Sequence, residues 1–106
     1  MKKKNKLIIK ELKDILQRNF QDISKVILFG SQATGKAFGF SDYDILVIVN
    51  HPISWKERRE ISDKIYSIDL KYNILTDVKI ISEPELATIK GKQPFIRQAL
   101  QNGVVA

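Results

Sequence analysis

Residues 26–49 read VILFGSQATGKAFGFSDYDILVIV, and the fold class follows from how this stretch divides. Val26 to Phe29 and Ile45 to Val49 are short β-branched or aromatic runs with the composition of buried strands. Between them lie Gly30-Ser31, a polar connection containing Gly35 and Gly39, and Asp42-Tyr43-Asp44 at the threshold of the second run. A buried strand gains nothing from two carboxylates at its start, because charge there is costly unless something compensates it.

Side chains alternate along an extended segment, so Asp42 and Asp44 share one side of the chain and Tyr43 takes the other. Two neighbouring carboxylates repel, and one tends to protonate unless a cation lies between them. Hard oxygen donors with no Cys or His alongside suit Mg²⁺ or Mn²⁺ rather than zinc. At the other end, Gly30 lacks a Cβ and lets a phosphate approach the backbone, while Ser31 offers a hydroxyl and an N–H. A short helical turn starting at Ser31-Gln32-Ala33 would add free N–H groups. An anion site at one end and a cation site at the other is the pattern of a metal–nucleoside triphosphate site.

Gly30-Ser31, ten intervening residues and Asp42-x-Asp44 leading into an apolar strand together resemble the signature of polymerase-β-like nucleotidyltransferases. The short chain is similar to the minimal nucleotidyltransferase (MNT) branch of that superfamily. The resemblance implies an α/β (α+β) fold, a small mixed β-sheet flanked by helices. It also implies transfer of AMP from ATP, with two Mg²⁺ ions (or Mn²⁺) held by Asp42, Asp44 and a third acid, and Gly30 and Ser31 on the phosphates. The third acid matches Asp77, which interrupts the apolar run ILTDVKII at residues 74–81. An edge-strand acid that discourages aggregation is the structural alternative for Asp77. In the MNT branch the partner is a HEPN-domain toxin, adenylated on a tyrosine hydroxyl, and the chain is its antitoxin. Two other readings stay open: a non-catalytic nucleotide-binding antitoxin acting by complex formation, and a free-standing enzyme for a small molecule or RNA end. Related proteins often carry arginines just after Gly-Ser, where this chain has Gln32 and Thr34.

With 106 residues and 12.2 kDa, the chain is expected to be a single domain spanning residues 1–106, with residues 1–5 a disordered basic tail. It has no cysteine, so neither disulfides nor a Cys-based metal site is possible. The longest aliphatic run is far short of a membrane span and no signal-peptide core follows the first lysines, which gives the expectation of a cytoplasmic protein. Lys2, Lys3, Lys4 and Lys6 account for four of the net +6 charges. No basic face interleaved with aromatics is evident, and direct nucleic-acid binding is not expected.

Outward from the central stretch, Ile8, Ile9, Leu12, Ile15, Leu16 and Phe20 predict an amphipathic helix over residues 6–20. Lys36 reads as a solvated loop lysine, and Ser41 as a turn residue or a support for Asp42. His51, the sole histidine, lies roughly 20 Å or more along the strand from the acids and reads as a turn residue. Ser54 and Glu57 form a capping box opening a helix whose buried side is marked by Trp55, Ile61, Ile65 and Ile68. Ser82 and Glu85 form another, with Pro84 in the first turn, and predict a helix to about Ile89 ended by Gly91. A last helix runs from Gln93-Pro94 to Asn102-Gly103.

Overall fold

The two apolar runs become β1 (Ile23–Phe29) and β2 (Tyr43–Val49), antiparallel partners with Phe29 opposite Asp44. The computed structural model describes residues 2–35 and 42–106, so Lys36, Gly39 and Ser41 lie outside the described residues. β3 (Thr76–Ser82) runs parallel to β2, with Asp77 opposite Asp44. A two-residue strand, β4 (Val104–Val105), pairs antiparallel with β1 and completes a mixed sheet ordered β3-β2-β1-β4. Sequence periodicity gave no sign of β4, because two residues are too few to show an alternation.

The strands' alternation separates two apolar layers. Val26, Leu28, Tyr43, Ile45, Val47 and Val49 pack with Ile8, Leu12 and Leu16 of α1 (Lys3–Asn19) and Ile61, Ile65 and Ile68 of α3 (Trp55–Tyr72). Ile27, Phe29, Leu46, Ile48 and Ile81 pack with Ile96 and Ala99 of α5 (Pro94–Asn102). Each fully buried Leu or Ile contributes about 1.5–3 kcal/mol of transfer free energy, so two filled layers hold the sheet from both sides. Asp44 and Asp77 fall on the α5 side by the same parity as Leu46 and Ile81, at the strand ends beyond that second layer.

Three expectations need correcting. Residues 3–5 are helical and Asn5 is only 1 % exposed, so Lys3, Lys4 and Asn5, expected in a disordered basic tail over residues 1–5, instead form the first turn of α1. The lysines around it hide the turn from a hydropathy reading, while the Asn5 carboxamide is buried against polar partners. Trp55 is 73 % exposed, not buried: it is the first residue of α3, where the helix has not yet reached the sheet. The helix predicted from Ser82 to Ile89 is a single turn, α4 (Glu83–Leu86), followed by a 3-10 turn at Ile89–Lys92 that contains Gly91. A Cβ on Gly91 would lie 2.0 Å from the Leu86 carbonyl oxygen, so this glycine allows a close backbone approach rather than a helix stop.

The Ser82 box forms in full, and at Ser54 the N-cap half of the expected box is present. Glu57 N–H donates to Ser54 Oγ at 3.2 Å, and Glu85 Oε1 accepts from the N–H of Ser82 at 3.1 Å and from its Oγ at 2.7 Å. His51 pairs with Asp22 at 2.9 Å in an exposed turn, as expected of a turn residue. None of the described helices is long and apolar enough to cross a membrane.

Candidate active site

β1 ends in Gly30, whose φ of +75° is readily reached only without a Cβ. The chain then enters α2 (Ser31–Thr34), the short helical turn expected there, closed by Gly35 at φ +76°. The Ala33 and Thr34 N–H groups bond back to the Gly30 carbonyl, which turns the segment sharply at the end of the sheet. The β1–β2 register brings the opposite side of this turn against Asp44. A Cβ built on Gly30 would lie 2.2 Å from Asp44 Oδ2 and 3.2 Å from its Cγ. Glycine at this position therefore makes room for the carboxylate as well as permitting the turn.

Asp44 is half-buried between Phe29 on β1 and Asp77 on β3. Burial raises its carboxyl pKa above the ordinary value; the negative charges of Asp77 and then Asp42 add to the rise, and Lys79 opposes it. The three expected acids are thus electrostatically coupled, with Asp44 at the centre. Asp42 is exposed, immediately before β2. Tyr43 points to the opposite layer, where burial raises its phenol.

Asp77 does not stand free. Lys79, two residues along the same face of β3, donates from Nζ to Asp77 Oδ1 at 2.9 Å, and its ammonium lies 5.7 Å from the Phe95 ring centroid. Among the described residues, no three His, Cys, Asp or Glu side chains are gathered into a closed ion-binding group. Instead, the strand register places Asp44 and Asp77 side by side, and the Lys79 ammonium is paired with Asp77. Sequence reading missed Lys79, although its i+2 spacing from Asp77 on a strand was a usable signal. Beyond Lys79, a cavity of about 370 Å³ opens along β3, with Arg58, Ser62, Lys90 and Phe95 on its walls.

The family described as "Polymerase beta, Nucleotidyltransferase" matches residues 10–105. The chain belongs to that family. As a polymerase-β nucleotidyltransferase, it is 39 % identical over 69 residues to a candidate protein adenylyltransferase of Methanocaldococcus jannaschii, a match covering 64 % of this chain and 70 % of the relative. Among solved structures, it is similar to the complex of a tri-AMPylated Shewanella oneidensis HEPN toxin with its MNT antitoxin. That match has a TM-score of 0.58 and 21 % identity, and covers 94 % of this chain and 69 % of the other. A spectinomycin adenyltransferase of Enterococcus faecialis, solved with ATP and spectinomycin, matches with a TM-score of 0.61 and 26 % identity, over 76 % of this chain and 35 % of that enzyme.

Nucleotidyltransferase activity and the mixed α/β fold thus agree with the expectations from the Gly30-Ser31 and Asp42-x-Asp44 spacing. In the turn after Gly30-Ser31, Gln32 is 6 % exposed and receives the Asn5 carboxamide on both its main-chain and side-chain oxygens.

Proposed function

We propose that this nucleotidyltransferase is an antitoxin that adenylates a tyrosine hydroxyl of a HEPN-type toxin, using ATP and divalent cations. The observation that carries the catalytic part is the apposition of Asp44 to both Gly30 and Asp77 across adjacent strands. The choice of acceptor is supported by the MNT–HEPN complex and the protein-adenylylating relative.

In this reading Gly30 and Ser31 hold the phosphate tail: the bare Cα admits it closely, and Ser31 supplies a hydroxyl and an N–H. Asp42, Asp44 and Asp77 are the ligands of two Mg²⁺ ions. Their hard oxygen donors, and the burial and mutual repulsion that together raise Asp44, fit divalent cations. When bound, such ions neutralise phosphate charge and activate the attacking hydroxyl. Of the three acids Asp77 is the one on β3, the strand along which the cavity opens; we place the acceptor there, with Asp77 taking the tyrosine proton. The sheet's role is to hold these groups in one arrangement, so the site works by positioning and electrostatics.

The test is intact-mass analysis of a HEPN-domain protein from the same genome after incubation with this chain and Mg-ATP, beside an Asp42→Asn control. Added AMP that disappears in the control supports the proposal. Tight binding without modification favours an antitoxin acting by complex formation. Absence of both, with transfer to a small molecule or an RNA end, would overturn the toxin as acceptor.

A further inference from the structure

Three polar side chains from three separate elements meet inside the layer beneath α1. Asn5, Gln32 and Tyr43 are 1 %, 6 % and 6 % exposed. Asn5 Nδ2 donates to the Gln32 carbonyl oxygen and to Gln32 Oε1, both at 3.1 Å. Tyr43 OH donates to Asn5 Oδ1 at 2.7 Å. The Asn5 carboxamide therefore donates on one side and accepts on the other, and only one orientation satisfies both neighbours.

Each end of this chain of bonds is attached to one half of the candidate site. Gln32 directly follows Ser31 in the turn that starts at Gly30. Tyr43 lies between Asp42 and Asp44, and by alternation its side chain is the strand's handle on the face opposite the carboxylates. An apolar trio of similar size would fill the same space, and replacing buried hydrogen-bonded partners by apolar groups is often neutral for stability. What the polar trio adds is direction: it fixes where α2 stands relative to β2.

We propose that Asn5 is a positioning residue of the nucleotide site, bridging Gln32 and Tyr43 so that the phosphate-side turn and the carboxylates are held at one separation. The inference rests on the reading of Gly30-Ser31 and Asp42/Asp44 as the phosphate and cation ends. A metal–triphosphate grips both ends at once, so its affinity depends on their spacing in the way a bivalent ligand depends on a linker. A cation alone engages only the carboxylate end and is indifferent to that spacing. Gln32 thus takes part through Asn5, which donates to both its main-chain and side-chain oxygens.

The experiment compares wild type, Tyr43→Phe and Asn5→Leu by titration calorimetry with Mg-AMP-PNP, and by electron paramagnetic resonance with Mn²⁺ alone. Both variants are expected to bind Mg-AMP-PNP about tenfold more weakly at unchanged stoichiometry, with Mn²⁺ affinity within about twofold of wild type. Unchanged AMP-PNP affinity would overturn the inference, as would reduced stoichiometry at wild-type affinity, the mark of a purely structural role. If Asn5→Leu does not fold, Tyr43→Phe, which loses a single hydroxyl, decides the matter. Failure of the wild-type protein to bind Mg-AMP-PNP would overturn the nucleotide reading itself, and the inference with it.

Discussion

The Asp44 carboxylate occupies the space that a side chain on Gly30 would need: a Cβ there would lie 2.2 Å from Asp44 Oδ2. Asp44 has little room to retreat, since its strand is paired with β1 on one side and β3 on the other. Gly30→Ala combines this clash with a φ of +75° that an L side chain rarely adopts. We expect a loss of about 1–3 kcal/mol from the backbone alone, because φ +75° with ψ −158° is a region open essentially only to glycine. Because the carboxylate is displaced as well, transfer should fall by about 10²-fold or more, on the scale of losing one preorganised electrostatic group. Denaturant melts and a transfer assay on the same preparation check both.

Asp44 should also make the cation-free protein less stable as pH rises. With its pKa raised, the folded state binds this proton more tightly than the unfolded chain does. Stability therefore falls as pH rises from the ordinary carboxylate value through the raised one. Above that interval, Asp44→Asn should be more stable than wild type without Mg²⁺, and added Mg²⁺ should raise the melting temperature of wild type far more than that of the variant. Transfer by Asp44→Asn should drop by about 10²–10³-fold or more. A wild-type melting temperature indifferent to Mg²⁺ across that pH range would argue against the carboxylates as its ligands.

On the proposed reading, Lys79 competes with a cation for Asp77. Its Nζ lies 2.9 Å from Asp77 Oδ1, in a pair whose side chains are 41 % and 49 % exposed. Such exposed pairs contribute about 0.2–1 kcal/mol, so Lys79→Met should tighten Mn²⁺ binding by about two- to fivefold. Stability should change by no more than about 0.5 kcal/mol. If the variant instead loses nucleotide affinity with Mn²⁺ affinity unchanged, Lys79 serves the phosphates and not the acid.

Glu85 anchors the end of β3 beside the cavity. Hydrogen bonds from Lys90 and Ser82 lower its pKa from 4.5 to about 2. The folded pKa is depressed, so this contribution is complete above 4.5 and is lost as pH falls from there towards 2. Glu85→Gln should cost about 1 kcal/mol at neutral pH, the usual value of a cap. It should also remove part of the acid-side slope in urea melts between those two pH values.

Much of this architecture was legible in the residues. The runs at Val26–Phe29 and Ile45–Val49 announced their strands, and the alternation across Asp42-Tyr43-Asp44 put both acids on one side before any pairing was known. Ile8, Leu12 and Leu16 marked the buried stripe of α1. The capping boxes at Ser54 and Ser82 located two helix starts, because a cap depends only on residues three apart. Trp55 was misread for the complementary reason: hydropathy reports what a residue prefers and not whether a partner surface reaches it.

Local order was therefore determined by the sequence itself: strands, turns, caps and the separation of Gly30-Ser31 from Asp42-x-Asp44. Tertiary structure alone decided which groups became neighbours. The parallel register that puts Asp77 beside Asp44 joins residues separated by a whole helix. The same is true of Phe95 meeting the Lys79 ammonium, and of Asn5 joining Gln32 to Tyr43. Such contacts depend on strand pairing and helix docking over long stretches of chain, and hydrophobic period and turn chemistry describe only near neighbours along it.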